Sequence, residues 1–131
     1  MSDAAMFRTP PEAYDRHIGR YSAELGRGLI ELAGVAAGDR VLDVGCGTGL
    51  LTAELAAVVG ADHVAAVDPS EPFAEACRRR VPGADVRIAG AERLPFADGA
   101  FDRVLSQLVL TFMDDAEAGV REMARVSRPG G

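Results

Sequence analysis

The sequence predicts an α/β fold in which helices pack on a parallel β-sheet. Three observations support this prediction: four short apolar segments alternate with helical segments, the first is followed directly by glycines at alternate positions, and the second ends on an acidic residue. Alternating strands and helices form βαβ units with right-handed crossovers. We therefore expect four strands in the order 3-2-1-4, with a ligand site at the switch point between strands one and four.

The first 59 residues are predicted to form a helical region, the first strand and a second helix. Residues 12–33 are expected to be helical, in one or two pieces, because leucines recur near one face, although several glycines weaken the pattern. Residues 40–44 form a short β-branched run that stops at glycines, which predicts strand one. Residues 50–59 are rich in Ala and Leu and are followed by Gly60, so they predict a helix that ends there.

The middle of the chain predicts a second strand and a third helix. Residues 63–67 are apolar and lead into Asp68, which predicts strand two. The next helix is expected to begin after Ser70, which can cap its amino end, to tolerate Pro72 in the first turn and to continue over residues 73–80. Three arginines close this helix, where cations suit the negative end of the helix dipole. We favour this structural role over a nucleic-acid patch.

The last third predicts two more strands and a final helix. Residues 85–89 follow a Pro-Gly turn and predict strand three. A loop with proline and glycine then leads to residues 101–110, which are expected to form strand four followed by an apolar turn. A helix through residue 125 should begin at an aspartate cap, either Asp114 or Asp115.

Composition and charge narrow the chemistry. The 131 residues suit one domain, and the formal net charge of −6 is opposite to the cationic surface that duplex binding requires. Lys and Arg together number 14 and all are Arg, which excludes lysine-dependent phosphate loops and pyridoxal Schiff bases. His17 and His63 are far apart and lack metal-ligand spacing. We therefore expect neither a nucleic-acid partner nor a metal site.

Segments that would direct the chain to a membrane or out of the cell are not predicted. The apolar runs are broken by charged residues before they reach about 18 residues, the length of a membrane-spanning helix. The first residues lack the apolar core of a secretory signal. Cys46 and Cys77 form no CxxC motif and no disulfide framework, which suits a reducing compartment. These observations favour the cytoplasm and no membrane partner.

The strongest functional signal is the run 45–49, Gly-Cys-Gly-Thr-Gly, directly after strand one. Glycines at alternate positions let a ligand approach the backbone, because no Cβ stands in the way. Asp68 follows at the end of strand two, where a carboxylate can accept hydrogen bonds from the two hydroxyls of a ribose. The glycine turn between a strand and a helix, followed by this acid, therefore predicts a nucleoside-containing ligand.

Asp43 helps to choose among ribose-containing ligands. It lies two residues before the first glycine, near the predicted mouth of the loop, where it would repel a pyrophosphate and attract a cation. Leu50 also occupies the position where a dinucleotide fingerprint requires its third small residue. S-adenosylmethionine fits, because it has a ribose, a sulfonium and an ammonium. An alternative role for Asp43 is to orient the loop backbone, and Asp68 alone leaves a nicotinamide-dependent oxidoreductase open.

The sequence resembles the class I S-adenosylmethionine-dependent methyltransferases, whose sheet is Rossmann-like and forms the middle of three layers. The likeness is closest to the small-molecule group that includes quinone-biosynthesis enzymes. The matching stretches occur in the family's order and span nearly the whole chain. They are residues 14–21, 41–49, 67–70, 91–102 and 122–131.

The resemblance implies a set of cofactor-binding residues. The set comprises Asp43, Gly45, Cys46, Gly47, Asp68, Pro69, Ala91, Glu92, Ser106 and Gln107, with Arg20 and Tyr21 as contacts of an amino-terminal lid. Within it, Gly45 and Gly47 would approach the methionine part of the cofactor, and Asp68 would hold the ribose. Tyr21 could equally pack the first helix onto the sheet.

The resemblance also assigns the adenine end of the site. Ala91 would meet the adenine edge through its backbone, and Ser106 with Gln107 would lie beside the cofactor after strand four. Family members often carry Asp where this chain has Gly90, and that Asp meets the adenine amine. The chain departs from the family here, so Glu92 or the backbone would have to supply the contact.

The implied activity is methyl transfer from S-adenosylmethionine to a small-molecule acceptor, with S-adenosylhomocysteine as the product. No catalytic side chain is predicted, because the sulfonium is already activated and the protein acts mainly by positioning. A non-catalytic module that binds S-adenosylmethionine or S-adenosylhomocysteine is the alternative from a different functional class. The nicotinamide-dependent oxidoreductase is a third.

The expected organisation is one domain with two parts. Residues 1–39 would form a helical cap segment, and residues 40–131 an incomplete S-adenosylmethionine-binding core. The family's sheet has seven strands, and we expect this sequence to end before the fifth. Strand four would then lie at an edge, where unpaired N–H and C=O groups favour pairing with another chain, so a homo-oligomer through this edge is predicted.

Overall fold

The computed structural model describes residues 24–107 and 115–130. Residues 24–33 are helical and form α1, and a single 3₁₀ turn over Ala61–His63 precedes the second strand. The other elements follow in alternation. They are β1 Val41–Val44, α2 Leu50–Val59, β2 Val64–Asp68, α3 Glu71–Arg80, β3 Asp85–Ile88, β4 Arg103–Ser106 and α4 Ala116–Val126.

The described strands form one parallel sheet in the order β3-β2-β1-β4, which confirms the predicted topology. Within it, Val44 at the end of β1 lies opposite Val67 of β2 and Ser106 of β4. The carboxyl ends of three strands therefore meet at one end of the sheet, where the order of the strands reverses between β1 and β4. This is the switch point at which open α/β sheets bind ligands.

The helices cover the two faces of the sheet unequally. On one face, Val41 packs with Ile30 of α1 and Leu55 of α2, while Ala66 packs with Ala74 of α3. On the other face, a second cluster of buried residues joins the sheet to the loop after β3 and to α4. It comprises Leu42, Val44, Ala65, Val67, Ala91, Leu94, Phe101 and Val126. The sheet is thus the middle of three layers, as predicted.

Both predicted helix caps are present. Ser70 accepts the backbone N–H of Phe73 at 3.4 Å at the start of α3. Asp115 accepts the N–H of Ala118 at 3.0 Å at the start of α4, which resolves the choice between the two candidate aspartates. Asp114 itself lies outside the described residues, as do residues 12–23 of the predicted first helical region.

The fourth strand begins two residues later than predicted. It covers Arg103–Ser106, and Phe101 pairs instead with Ser127, the first residue after α4, in an isolated parallel bridge. The N–H of Phe101 donates to the carbonyl of Val126 at 3.0 Å, and the N–H of Arg128 donates to the carbonyl of Phe101 at 2.8 Å. β4 is the outermost strand on its side of the described sheet, so self-association through it stays a prediction.

The arginines at the end of α3 have structural roles that sequence analysis predicted only in part. Arg78 donates to the carbonyl of Val86 in β3 at 3.2 and 2.9 Å and pairs with Glu75. Arg80 donates to the carbonyl and hydroxyl oxygens of Thr48 at 3.2 and 3.1 Å. These side chains therefore connect α3 to the sheet and to the glycine loop, in addition to suiting the helix dipole.

Among the helices in the described ranges, none has the length and apolarity to cross a bilayer.

Candidate functional site

The glycine loop, residues 45–49, curls from the end of β1 over the end of β2. The N–H groups of Gly45 and Cys46 both donate to the carbonyl of Val67, at 2.8 and 2.9 Å. Gly49 has a φ of +92°, and a Cβ placed on it would lie 2.9 Å from Sγ and 3.1 Å from Cα of Cys77. Both the backbone conformation and the close approach of α3 therefore require glycine at this position.

Asp68 connects the three chain segments that surround the site. Its Oδ2 accepts the N–H of Gly47 at 2.9 Å, and its Oδ1 accepts the N–H of Ser70 at 2.8 Å. Its backbone carbonyl accepts the N–H of Ala89 at 3.1 Å, just after β3. The residue is only 1% exposed. Burial raises the pKa of its carboxyl, while the N–H donors of Ser70 and Gly47 act in the opposite direction.

Asp43 lies beneath the glycine loop. The sequence had predicted a position near the mouth of the loop. Asp43 is 1% exposed, and its Oδ2 accepts the hydroxyl hydrogen of Thr52 from α2 at 2.7 Å. Burial raises the pKa of this carboxyl to about 7, Thr52 opposes the rise, and the nearby charge of Asp68 adds to it. Over residues 24–107 and 115–130, neither carboxylate forms a salt bridge with an arginine or histidine.

The loop after β3 forms another wall. Ala91 is buried in the core, 6% exposed, next to the end of β2. Glu92 folds back over Gly90: its Oε2 lies 2.9 Å from the place where a Cβ on residue 90 would stand. Arg125 of α4 holds this loop by donating to the carbonyls of Leu94 and Phe96 at 3.0 and 2.9 Å.

The end of β4 brings a hydroxyl close to the start of the glycine loop. Ser106 is in register with Val44, and its Oγ is buried with no hydrogen-bond partner among the residues that the structure describes. An unpaired buried hydroxyl is costly unless a ligand or water satisfies it. Gln107 instead lies beside α1, with its Oε1 3.5 Å from where a Cβ on Gly26 would stand.

The structure thus brings together most of the predicted residues. Gly45 and Cys46 are tied to Val67 by their N–H groups, Gly47 donates its N–H to the carboxylate of Asp68, and Pro69 is exposed next to Asp68. Arg20 and Tyr21 lie outside the described residues, so their lid contacts stay a prediction.

Two residues that sequence analysis did not select also line the underside of the loop. Thr52 binds Asp43, and Cys77 donates its S–H to Thr52 Oγ1 at 3.5 Å. A polar Thr on the apolar face of a predicted helix is the signal that could have identified the first of them. No group of His, Cys, Asp and Glu side chains in the described part of the chain could hold a metal ion.

This arrangement fits S-adenosylmethionine. The loop is free of Cβ atoms at three positions, two carboxyl groups lie beneath it without an arginine or histidine salt bridge in the described ranges, and Ser106 has an unsatisfied hydroxyl. A nucleoside with a cationic substituent matches these donors, acceptors and charges.

Comparison with known proteins agrees with the geometry. The family model described as "Methyltransferase domain" matches residues 42–131. The demethylmenaquinone methyltransferase of Mycolicibacterium gilvum is 49% identical over 94 residues, which are 71% of this chain and 39% of that protein. The malonyl-[acyl-carrier protein] O-methyltransferase of Erwinia pyrifoliae is 36% identical over 129 residues, which are 98% of this chain and 48% of that protein. The chain therefore spans less than half the length of these two relatives.

Solved structures show the same fold. A SAM-dependent methyltransferase from Thermotoga maritima superposes with a TM-score of 0.74 at 27% identity, over 95% of this chain and 56% of that chain. A chain from the complex between the Haloferax volcanii Trm112 methyltransferase activator and a methyltransferase gives a TM-score of 0.85 at 22% identity, over 96% and 57% of the two chains. Because the family match covers most of the sequence, including the glycine loop and Asp68, the chain belongs to the class I S-adenosylmethionine-dependent methyltransferases.

Proposed function

We propose that this chain is the cofactor-binding part of a methyltransferase that acts on a small molecule in the cytoplasm. The observation that carries the proposal is the pair of buried carboxyl groups, Asp43 and Asp68, beneath a loop without Cβ atoms at its glycines. Two acidic groups in such a site favour a cationic ligand, and a bound cation in turn favours the ionised form of Asp43, because charge attraction is strong where water is excluded. S-adenosylmethionine supplies a methyl group on a positively charged sulfur.

Each wall of the site would hold one part of that ligand. Asp68 uses one lone pair of each carboxylate oxygen for a backbone N–H, so it retains acceptor capacity for the ribose hydroxyls. Its burial means that the ligand reaches it only after the loop or a neighbouring side chain moves. Glu92, which occupies the space above Gly90, and the backbone of Ala91 would meet the adenine.

The acceptor is proposed to be a small molecule because of the acceptors that the names of two relatives give. The names of the relatives give a demethylmenaquinone and a malonyl-[acyl-carrier protein] as the groups that those proteins methylate. The net charge of −6 also disfavours a nucleic-acid acceptor. Holding donor and acceptor in line can contribute about 7–11 kcal/mol to the lowering of the barrier, so no general base is required of this chain.

Calorimetric titration tests the proposal. We expect the chain to bind S-adenosylhomocysteine and not NAD, because Leu50 occupies the position where a dinucleotide fingerprint requires a small residue, and the carboxyl groups beneath the loop would repel a pyrophosphate. Binding of NAD, or of neither ligand by a chain that circular dichroism shows to be folded, would contradict the proposed function. Transfer of a labelled methyl group in the same preparation separates an enzyme from a module that only binds the cofactor.

Replacement of Asp68 by alanine tests the site itself. We expect the affinity for S-adenosylhomocysteine to fall by about 1–3 kcal/mol, because acceptors for the ribose and for the N–H of Gly47 are lost together. The matched control is Asp62→Ala, an exposed acid just before the amino end of the same strand, which should leave the affinity unchanged.

A cofactor analogue separates direct contact from loop positioning. If Asp68 meets the ribose, Asp68→Ala should lower the affinity for an analogue of S-adenosylhomocysteine without the ribose hydroxyls by less than it lowers the affinity for S-adenosylhomocysteine itself, because only the contribution of the Gly47 contact remains. An unchanged dissociation constant for S-adenosylhomocysteine in Asp68→Ala would remove this residue from the site.

A further inference from the structure

The two cysteines of the chain, far apart in sequence, meet directly beneath the cofactor loop. Cys46 is the second residue of the loop and Cys77 lies on α3, and both belong to the same buried cluster together with Ala66 and Ala74. Each thiol influences the ionisation of the other: their proximity raises the pKa of Cys46 and lowers the pKa of Cys77. The proposed function uses neither thiol.

The contacts of the two thiols place both of them where the glycine loop meets α3. The Sγ of Cys46 donates to the carbonyl of Gly47 at 3.6 Å, and the Sγ of Cys77 donates to Thr52 Oγ1 at 3.5 Å. The Sγ, Cβ and Cα of Cys77 also lie 2.9 to 3.3 Å from where a Cβ on Gly49 would stand, so α3 is in close contact with the loop. Both thiols therefore lie at the junction between a rigid helix and the segment that would hold the cofactor.

We propose that Cys46 and Cys77 form a reversible disulfide that fixes the glycine loop against α3 and weakens cofactor binding. The oxidant class is a peroxide. The thiolate of one cysteine attacks a peroxide oxygen, the O–O bond breaks, and a sulfenic acid and water form. The other thiol then displaces the sulfenic hydroxyl as a second water, which leaves the S–S bond. Reduction by an external dithiol returns both thiols.

The effect on the cofactor follows from the position of Cys46. Its sulfur must move toward α3 to form the bond, and the adjacent Gly47 holds the carboxylate of Asp68 through its N–H at 2.9 Å. Cys77 must at the same time turn away from Thr52, the hydroxyl donor to Asp43. Displacement of the loop thus disturbs the hydrogen bonds of both carboxyl groups. The loss of affinity rests on the proposed function, whereas the formation of the disulfide does not.

The thiols are nearly inaccessible, with Cys46 at 7% and Cys77 at 0% exposure. Oxidation therefore requires the loop to open, and a bound cofactor should hold the loop closed. We expect S-adenosylhomocysteine to slow the reaction with peroxide.

The test treats the whole chain with hydrogen peroxide, with and without S-adenosylhomocysteine. We expect intact-mass spectrometry to show the loss of two hydrogen atoms and no gain of oxygen, and both thiols to become unreactive in denaturant. The affinity for S-adenosylhomocysteine should fall about tenfold and recover after a dithiol is added. The control is Cys77→Ser, which keeps a donor for Thr52 and cannot form the disulfide. Peroxide should therefore cause no loss of affinity for S-adenosylhomocysteine that a dithiol restores in this variant.

Three results would overturn the proposal: two free thiols after extended treatment, stable addition of oxygen in place of a disulfide, or a disulfide with unchanged affinity. If the reduced chain binds no S-adenosylhomocysteine, the proposed function fails while the mass measurement still decides whether the disulfide forms.

Discussion

Substitution of Asp43 by asparagine is expected to stabilise the protein increasingly as the pH rises. Relative to the parent chain, the free energy of unfolding of Asp43→Asn should increase by about 4 kcal/mol between pH 4 and pH 8. The cause is the buried carboxyl of the parent, whose pKa is raised from 3.8 to about 7 mainly by loss of water. Asparagine has a similar shape and still offers an oxygen to the Thr52 hydroxyl, but it cannot ionise.

The sign follows from proton linkage. Between about pH 4 and 7 the folded parent holds a proton on Asp43 that the unfolded chain has released. Folding then takes up protons, so the stability of the parent falls with pH at a rate of about 1.4 kcal/mol per pH unit. Above about pH 7 both states have released the proton and the difference becomes constant. The contribution of the neutral carboxyl is therefore fully present below pH 4 and lost through pH 7.

Urea unfolding of both proteins at intervals from pH 4 to 8 measures this difference, and the other titrating groups largely cancel because both chains contain them. Thr52→Val is the matched second variant. It removes the hydroxyl that favours the ionised form, so its stability should continue to fall at higher pH than that of the parent. A difference between Asp43→Asn and the parent that does not depend on pH would show that Asp43 ionises as freely in the folded chain as in the unfolded one.

The second large effect is expected for Gly49→Ala. The φ of +92° at this residue is unfavourable for alanine, and the new Cβ would lie 3.1 Å from the Cα of Cys77, which cannot move without the helix. The two contributions, about 1–2 kcal/mol from the backbone conformation and about 1–3 kcal/mol from overpacking, together predict a loss of about 2–5 kcal/mol in stability. The displaced loop should also lose affinity for S-adenosylhomocysteine.

Gly38→Ala separates the two contributions. Gly38 has a φ of +90°, but nothing lies within 4 Å of the Cβ that alanine would add. Chemical denaturation should therefore show a loss of only about 1–2 kcal/mol, with the cofactor affinity unchanged. Equal losses of stability in the two variants would mean that α3 yields easily and that the contact between the loop and Cys77 is not tight.

The features predicted correctly from sequence are those encoded by neighbouring residues. The glycines after β1, the cap at Ser70 and the alternation of apolar segments each specify a local conformation, and the parallel topology follows from that alternation. The start of α4 is predicted to within one residue, because the two adjacent aspartates Asp114 and Asp115 are the candidate caps directly before it. Position in the sheet then brings Asp68 to the glycine loop without further information.

The features that escaped prediction depend on contacts between distant segments. Whether Asp43 faces solvent or the protein interior is decided by α2 and α3, which cover it, and the sequence of β1 carries no sign of this. Cys77 is an ordinary apolar position of α3 until the fold places it under Gly49. The late start of β4 likewise depends on Ser127, which follows α4 and pairs with Phe101.

The position of β1 and β2 inside the sheet has a consequence for how ligand binding becomes measurable. Each of these strands has a neighbour on both sides, and each leads directly into one part of the site, the glycine loop after Val44 and the carboxylate of Asp68. Amide hydrogens in the centre of such a sheet exchange with solvent only when the whole domain opens. A ligand that binds only the folded state lowers the equilibrium population of the open state by the factor 1 + [L]/Kd, and exchange slows accordingly. The exchange rates of amides in the middle of these two strands therefore report the occupancy of a site that lies at the carboxyl ends of the strands.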